Sequence, residues 1–132
     1  MKRRTFIAAA SALALMPQLA QAAEFIDYTP GAIETALRDG KTVFVDYSAT
    51  WCSTCKRQER VIEELRSQDP AYDAAMTFIK VDWDDFGTHE VTTSRGVPRR
   101  STLIVLKGDE ELGRIVAGTS TAQIKALMDQ GL

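Results

Sequence analysis

The chain has 132 residues, of which 45% are hydrophobic, and a formal net charge of −2. This length suits one globular domain, and the hydrophobic content excludes a wholly disordered chain. Two cysteines are too few for a multi-bridge disulfide scaffold, and with the one histidine they cannot fill a four-ligand Cys/His zinc site.

Residues 1–22 have the pattern of an export signal. Basic residues at 2–4 precede a short alanine-rich apolar stretch, and Ala-Gln-Ala at 20–22 supplies the small residues that a signal peptidase reads. The segment RRTFI at 3–7 resembles the twin-arginine signal, although general secretory signals also begin with basic residues. A membrane anchor is the alternative, but the apolar run is short and ends at Pro17. We therefore predict cleavage after Ala22 and a bacterial periplasmic location.

The mature chain, residues 23–132, is expected to be one domain. Removal of the leader leaves 13 basic and 18 acidic residues, a net charge of −5. Such a mildly acidic domain is not expected to bind nucleic acid or to remain inserted in a membrane.

Strands and helices alternate at short spacing along this domain. Runs of β-branched, aromatic and aliphatic residues predict strands at 25–28, 42–47, 76–81, 102–106 and 112–117. Helical spacing and capping residues predict helices at about 29–40, 52–67 and 87–95, and a last helix from Ser120 or Thr121. This order predicts an α/β fold, a mixed sheet of four to five strands with helices on both faces.

The segment WCSTCK at 51–56 carries the chemically informative residues. It lies between a predicted buried strand and a predicted helix, so Cys52 and Cys55 share the first helical turn and can reach disulfide distance. At a helix N-terminus the free N–H groups and the dipole favour a thiolate at Cys52. Cys55, one turn inside, is placed to attack a mixed disulfide formed by Cys52.

A permanent structural disulfide is the alternative for this pair, since exported proteins keep disulfides. A bridge that closes so few residues removes little entropy from the unfolded chain, so it stabilises poorly. We therefore expect redox exchange.

The stretch VDYSATWCSTCK at 45–56 resembles the active-site segment of the thioredoxin superfamily. Asp46 falls where these proteins keep a buried acid beneath the cysteines, and Lys80 falls where they keep its partner lysine. The segment Arg95–Pro98 (RGVP) resembles the one whose cis proline faces the dithiol. The resemblance implies the thioredoxin fold and a protein-disulfide oxidoreductase that needs no bound cofactor and no metal.

Two departures from the family pattern matter. Ser53-Thr54 stands between the cysteines where thioredoxin has Gly-Pro, a pair that tunes the redox potential. The next strand usually follows the proline at once, but here extra residues precede Thr102. Either Pro98 or Ser101 therefore takes the cis-proline position. We favour Pro98 because a cis peptide bond costs little free energy when it precedes proline. Trp51, Val97 and Pro98 are expected to line the substrate groove.

Asp46 is expected to be neutral or paired. A lone carboxylate in so apolar a strand costs several kcal/mol, and Lys80 is the natural partner. An acid with a raised pKa could also take the proton from Cys55 during exchange. Arg99 and Arg100 are either solvated or flank the dithiol, where they would stabilise a Cys52 thiolate and steer acidic partners.

The expected function is reduction of protein disulfides by an exported, monomeric protein. Within the superfamily, the leader and short chain are most similar to the periplasmic thioredoxin-like domain of the DsbD family, which implies a membrane electron donor of that type. The acid–lysine pair is typical of thioredoxin and unusual in strong oxidants. A disulfide donor is the first alternative, and a Cu(I)-binding module that uses both thiolates is the second.

Overall fold

Five strands form one mixed sheet in a computed structural model, which describes residues 24–132. The strands are β1 (Ile26–Asp27), β2 (Thr42–Ser48), β3 (Met76–Asp82), β4 (Thr102–Lys107) and β5 (Glu110–Val116). Their order across the sheet is β1-β3-β2-β4-β5, with β3 parallel to β1 and β2, and β4 antiparallel to β2 and β5. The predicted mixed α/β sheet is confirmed. The predicted signal segment 1–22 lies outside the described residues.

Six helices connect or follow these strands in the described part of the chain. They are α1 (Ala32–Arg38), α2 (Ser53–Gln68), α3 (Ala71–Ala75), α4 (Trp83–Phe86), α5 (Glu90–Thr93) and α6 (Thr121–Asp129). Within residues 24–132, none of them is both long enough and apolar enough to cross a membrane.

The short helix predicted at 87–95 is present as α5, which is shorter than predicted, and the helix α4 just before that range was not predicted. Asp82 caps α4 and His89 caps α5, each side chain accepting hydrogen bonds from backbone N–H groups of the next turn. Two caps so close together start two separate helices. The five-residue helix α3, which begins after Pro70, was not predicted.

The central strand β2 is buried along its whole length and separates two hydrophobic cores. Its odd-numbered side chains pack with Ile33 of α1, whereas Phe44 packs on the opposite face with Ile62 of α2. Asp46 follows Phe44 by two residues, so its carboxyl points to the α2 face. The fold therefore encloses an ionisable group beneath the helix that begins at the cysteines.

Candidate active site

Cys52 and Cys55 meet at the start of α2 and are joined as a disulfide, with Cα atoms 5.3 Å apart. Cys52 is the N-cap residue, with extended backbone, and its Sγ accepts a hydrogen bond from the Cys55 N–H at 3.2 Å. The sulfur therefore satisfies one of the free donors of the helix end, the place where a thiolate is stabilised.

The two sulfurs differ in access. Cys55 is fully buried, whereas Cys52 keeps 3% of its surface exposed. Ala49 and Trp83 pack against the pair, and the neighbouring Trp51 is 56% exposed. Of the two cysteines, Cys52 is the less deeply buried, so an incoming sulfur is expected to meet it first.

Ser101 is the side chain that meets both sulfurs. Its Oγ lies 3.2 Å from the Cys52 Sγ and 3.1 Å from the Cys55 Sγ. The favoured prediction, a cis Pro98 facing the dithiol, is wrong: residues 24–132 contain no cis peptide bond, and Pro98 is exposed. Val97 is buried in the core on the α1 side of the sheet.

The start of β4 explains this placement. Ser101 directly precedes the strand, and its N–H donates to the carbonyl of Tyr47 at 2.7 Å, which carries it to the end of β2 beside the cysteines. The intervening residues form a bend in which the Thr102 hydroxyl donates to the Arg99 carbonyl at 2.7 Å. Pro98 precedes that bend and is exposed.

Gln58 binds the backbone carbonyl of Ser101 and was not predicted as a site residue. Its buried amide donates to the carbonyls of Ser101 at 3.0 Å and of Gly118 at 2.9 Å. The helical spacing of α2 puts Gln58 on the same face as Cys55 and Ile62, and this face is buried. An amide on a buried helix face needs partners, so this position carried a readable signal.

Asp46 is fully buried, and neither carboxylate oxygen has a hydrogen-bond partner among the described residues. Burial raises the pKa of this carboxyl from 3.8 to about 7, with nearby Lys80 opposing the rise and Glu59 adding to it. At neutral pH the group can therefore give or take a proton.

The predicted direct pair between Asp46 and Lys80 is not formed. Lys80 lies opposite Asp46 in the β2–β3 register, but its Nζ binds the Glu59 carboxylate of α2 at 2.7 Å. The long lysine side chain extends past the buried acid to the edge of the helix, where both partners stay partly solvated. Glu59 was missed because the helical spacing of α2 assigns it to the polar side.

Trp51 is held between two charged side chains. Its Nε1–H donates to the Asp84 carboxylate oxygens at 3.0 and 3.1 Å, and the Arg100 guanidinium lies 4.4 Å from the ring centroid. Arg100 therefore contacts Trp51, the residue that precedes Cys52, whereas Arg99 is exposed.

Metal-binding groups are sparse around the pair. Within residues 24–132, the His, Cys, Asp and Glu side chains form no group of three or more that could hold a metal ion.

The family model described as Thioredoxin matches residues 24–130. Thioredoxin-1 of Saccharomyces cerevisiae is 34% identical over 97 residues, covering 74% of this chain and 87% of that protein. Thioredoxin-2 of the same yeast is 37% identical over 112 residues, covering 84% and 93%.

Solved structures agree with this match. The crystal structure of Trxlp from Edwardsiella tarda superposes with a TM-score of 0.66 at 31% identity, covering 77% of this chain and 97% of that chain. The reduced thioredoxin pre-protein of Schistosoma mansoni gives a TM-score of 0.66 at 28% identity, covering 83% and 100%. The chain belongs to the thioredoxin family, and its Cys52–Cys55 pair is that of a dithiol redox protein.

Proposed function

We propose that the protein is an exported thiol–disulfide oxidoreductase that reduces disulfides in other proteins, with electrons from a membrane donor of the DsbD type. The observation that carries the proposal is the Cys52–Cys55 pair at the N-terminus of α2, with Cys52 less deeply buried than Cys55.

The reaction needs only the two cysteines and the substrate. The Cys52 thiolate attacks one substrate sulfur, forming a mixed disulfide and expelling the other substrate sulfur as a thiolate. Cys55 then attacks the Cys52 sulfur, which forms the Cys52–Cys55 bond and releases the second substrate sulfur. Two electrons pass to the substrate, and each released thiolate takes up a proton. A second thiol donor restores the dithiol by the reverse sequence.

Asp46 supplies a base for the second step. The Cys55 thiol must lose its proton to attack, and the buried carboxyl has a pKa of about 7, so it can accept that proton at neutral pH. Its position on the face of the sheet where α2 packs places it beneath the helix that carries Cys55.

Trapping of the mixed disulfide tests the proposed chemistry. With a disulfide-containing protein such as insulin, Cys55→Ser should accumulate a covalent adduct that thiol reagents release, because the resolving sulfur is gone. Cys52→Ser is the matched control and should form none. Adduct formation through Cys55 alone, or no adduct with either variant, would contradict the proposed roles.

Export and electron supply form the second part of the proposal, supported by the pattern of residues 1–22. Replacement of Arg3 and Arg4 by lysine should retain the protein in the bacterial cytoplasm if the twin-arginine route is used. Fractionation of two cell cultures checks this, one making the unmodified protein and the other making the lysine variant. Thiol alkylation in cells with and without a membrane thiol donor shows whether the reduced state of Cys52 and Cys55 depends on that donor.

A disulfide donor runs the same steps in reverse, and the reduction potential separates the two directions. A Cu(I)-binding module would instead take up the metal through both thiolates without catalysing insulin reduction.

A further inference from the structure

The Ser101 hydroxyl is a buried polar group in contact with both cysteine sulfurs. It is fully buried, and its Oγ lies within 3.2 Å of both reacting sulfurs. A hydroxyl has one proton to donate, so it can serve only one sulfur at a time.

We propose that Ser101 is a catalytic residue whose hydroxyl donates its hydrogen bond to whichever of Cys52 and Cys55 carries the thiolate charge. This inference rests on the proposed function and deepens it. In the reduced protein the hydroxyl binds the Cys52 thiolate before attack. During resolution it binds the Cys55 thiolate, and the bond weakens as that sulfur becomes part of the disulfide.

The effect follows from the difference between the two redox states. A hydrogen bond to a charged acceptor is about twice as strong as one to a neutral acceptor. The thiolate is charged and the disulfide is not, so the Ser101 hydroxyl stabilises the reduced state more than the oxidised state. A group with this effect makes the protein easier to reduce, and it also increases the fraction of Cys52 that is ionised.

The backbone at Ser101 supports a functional role for this position. Its φ is +63°, a left-handed conformation that is unfavourable for a residue with a Cβ. Ser101 N–H binds the Tyr47 carbonyl, and the Ser101 carbonyl accepts from Ala117 N–H at 2.9 Å and from the Gln58 amide at 3.0 Å. Strain of this kind persists where surrounding contacts impose it, and it concentrates at functional sites. Here those contacts hold the hydroxyl against the sulfurs.

Two variants separate the hydroxyl from the backbone strain. Ser101→Ala removes the hydroxyl and keeps a Cβ at positive φ, whereas Ser101→Gly removes the hydroxyl and relieves the strain. Ser48→Ala is the matched control, since Ser48 is a buried serine at the end of β2. Each purified protein is equilibrated with reduced and oxidised glutathione, and ionisation of Cys52 is followed through the ultraviolet absorbance of the thiolate.

The expected result is the same shift in both Ser101 variants. The equilibrium should move about tenfold toward the disulfide, the ratio that one hydrogen bond to a charged group sustains. The pKa of the Cys52 thiol should rise by about one unit, which is the same free energy. Ser48→Ala should match the unmodified protein.

Three outcomes would overturn the inference: no shift in either Ser101 variant, a shift in Ser101→Gly alone, or an equal shift in Ser48→Ala. Insulin reduction by the unmodified protein, measured in parallel, tests the proposed function separately. If insulin is not reduced but the glutathione equilibrium still shifts in both variants, the proposed function fails and the role of Ser101 stands.

Discussion

Lys80 binds Glu59 rather than Asp46, although Lys80 and Asp46 are direct neighbours in the β2–β3 register. The 2.7 Å ion pair draws the ammonium to the edge of α2 and leaves the buried carboxyl without a hydrogen-bond partner among the described residues. The pKa of Asp46 therefore depends first on its burial and then on two charged groups, Lys80 of β3 and Glu59 of α2, which are both partly exposed.

The first prediction concerns stability and pH. The pKa of Asp46 is 3.8 unperturbed and about 7 in the folded protein. The folded state therefore binds more protons than the unfolded state between these values, and the free energy of unfolding falls as pH rises through that window. The full loss contributed by this one group is about 4 kcal/mol.

Asp46→Asn should abolish this dependence. The difference in unfolding free energy between the unmodified protein and Asp46→Asn should decline from about pH 4 to about pH 8, as measured by denaturant unfolding. Parallel pH profiles for the two proteins would show that Asp46 keeps its ordinary pKa.

The second prediction uses Glu59 and Lys80 as a matched pair. Glu59→Gln removes a negative charge near Asp46 and releases Lys80, so the pKa of Asp46 should fall below about 7. Lys80→Met removes the opposing positive charge, so the pKa should rise. Carboxyl chemical shifts followed through a pH titration report both directly. Shifts in the same direction would refute the arrangement.

The sequence allowed the strands and the cysteine motif to be predicted because those features depend on local patterns. The β-branched and aromatic run at 42–47 favours a buried strand, and the cysteine pair at the first turn of the amphipathic α2 marks the start of a helix. The choice between Pro98 and Ser101 depends on where the bend ends and β4 begins, which no local pattern specifies. The partner of Lys80 depends on how far a flexible side chain reaches between two elements, and this too has no periodic signal.

The third prediction concerns proline at position 101. Ser101→Pro should destabilise the protein by about 3 kcal/mol or more, because proline fixes φ near −65° and removes an N–H that is bonded here. The observed φ is +63°, and the lost bond is the 2.7 Å contact with the Tyr47 carbonyl. Pro98→Ala, at an exposed position, should cost about 1 kcal/mol or less. Denaturant midpoints rank the two variants, and an equal ranking would contradict the placement of Ser101.

The fourth prediction concerns Arg100, whose guanidinium lies over the Trp51 ring. Arg100→Glu should slow the reduction of acidic peptide disulfides several-fold and reduce the salt dependence of the rate, because the positive charge over the exposed ring attracts such substrates. Arg99→Glu carries the same charge change without the contact to Trp51 and should have a smaller effect. Stopped-flow rates at two salt concentrations distinguish the variants. Equal rates for Arg100→Glu and the unmodified protein would mean that this charge does not guide substrates.

The reduction potential of the Cys52–Cys55 couple tests the central claim most directly. The purified protein is equilibrated in defined thiol–disulfide buffers, and tryptophan fluorescence reports the redox state, since Trp51 and Trp83 lie beside the pair. A value of about −270 mV, as in thioredoxin, is the result expected for a reductant supplied by a membrane donor. A value of about −120 mV, as in the strong oxidant of the superfamily, would contradict the proposed direction of electron flow.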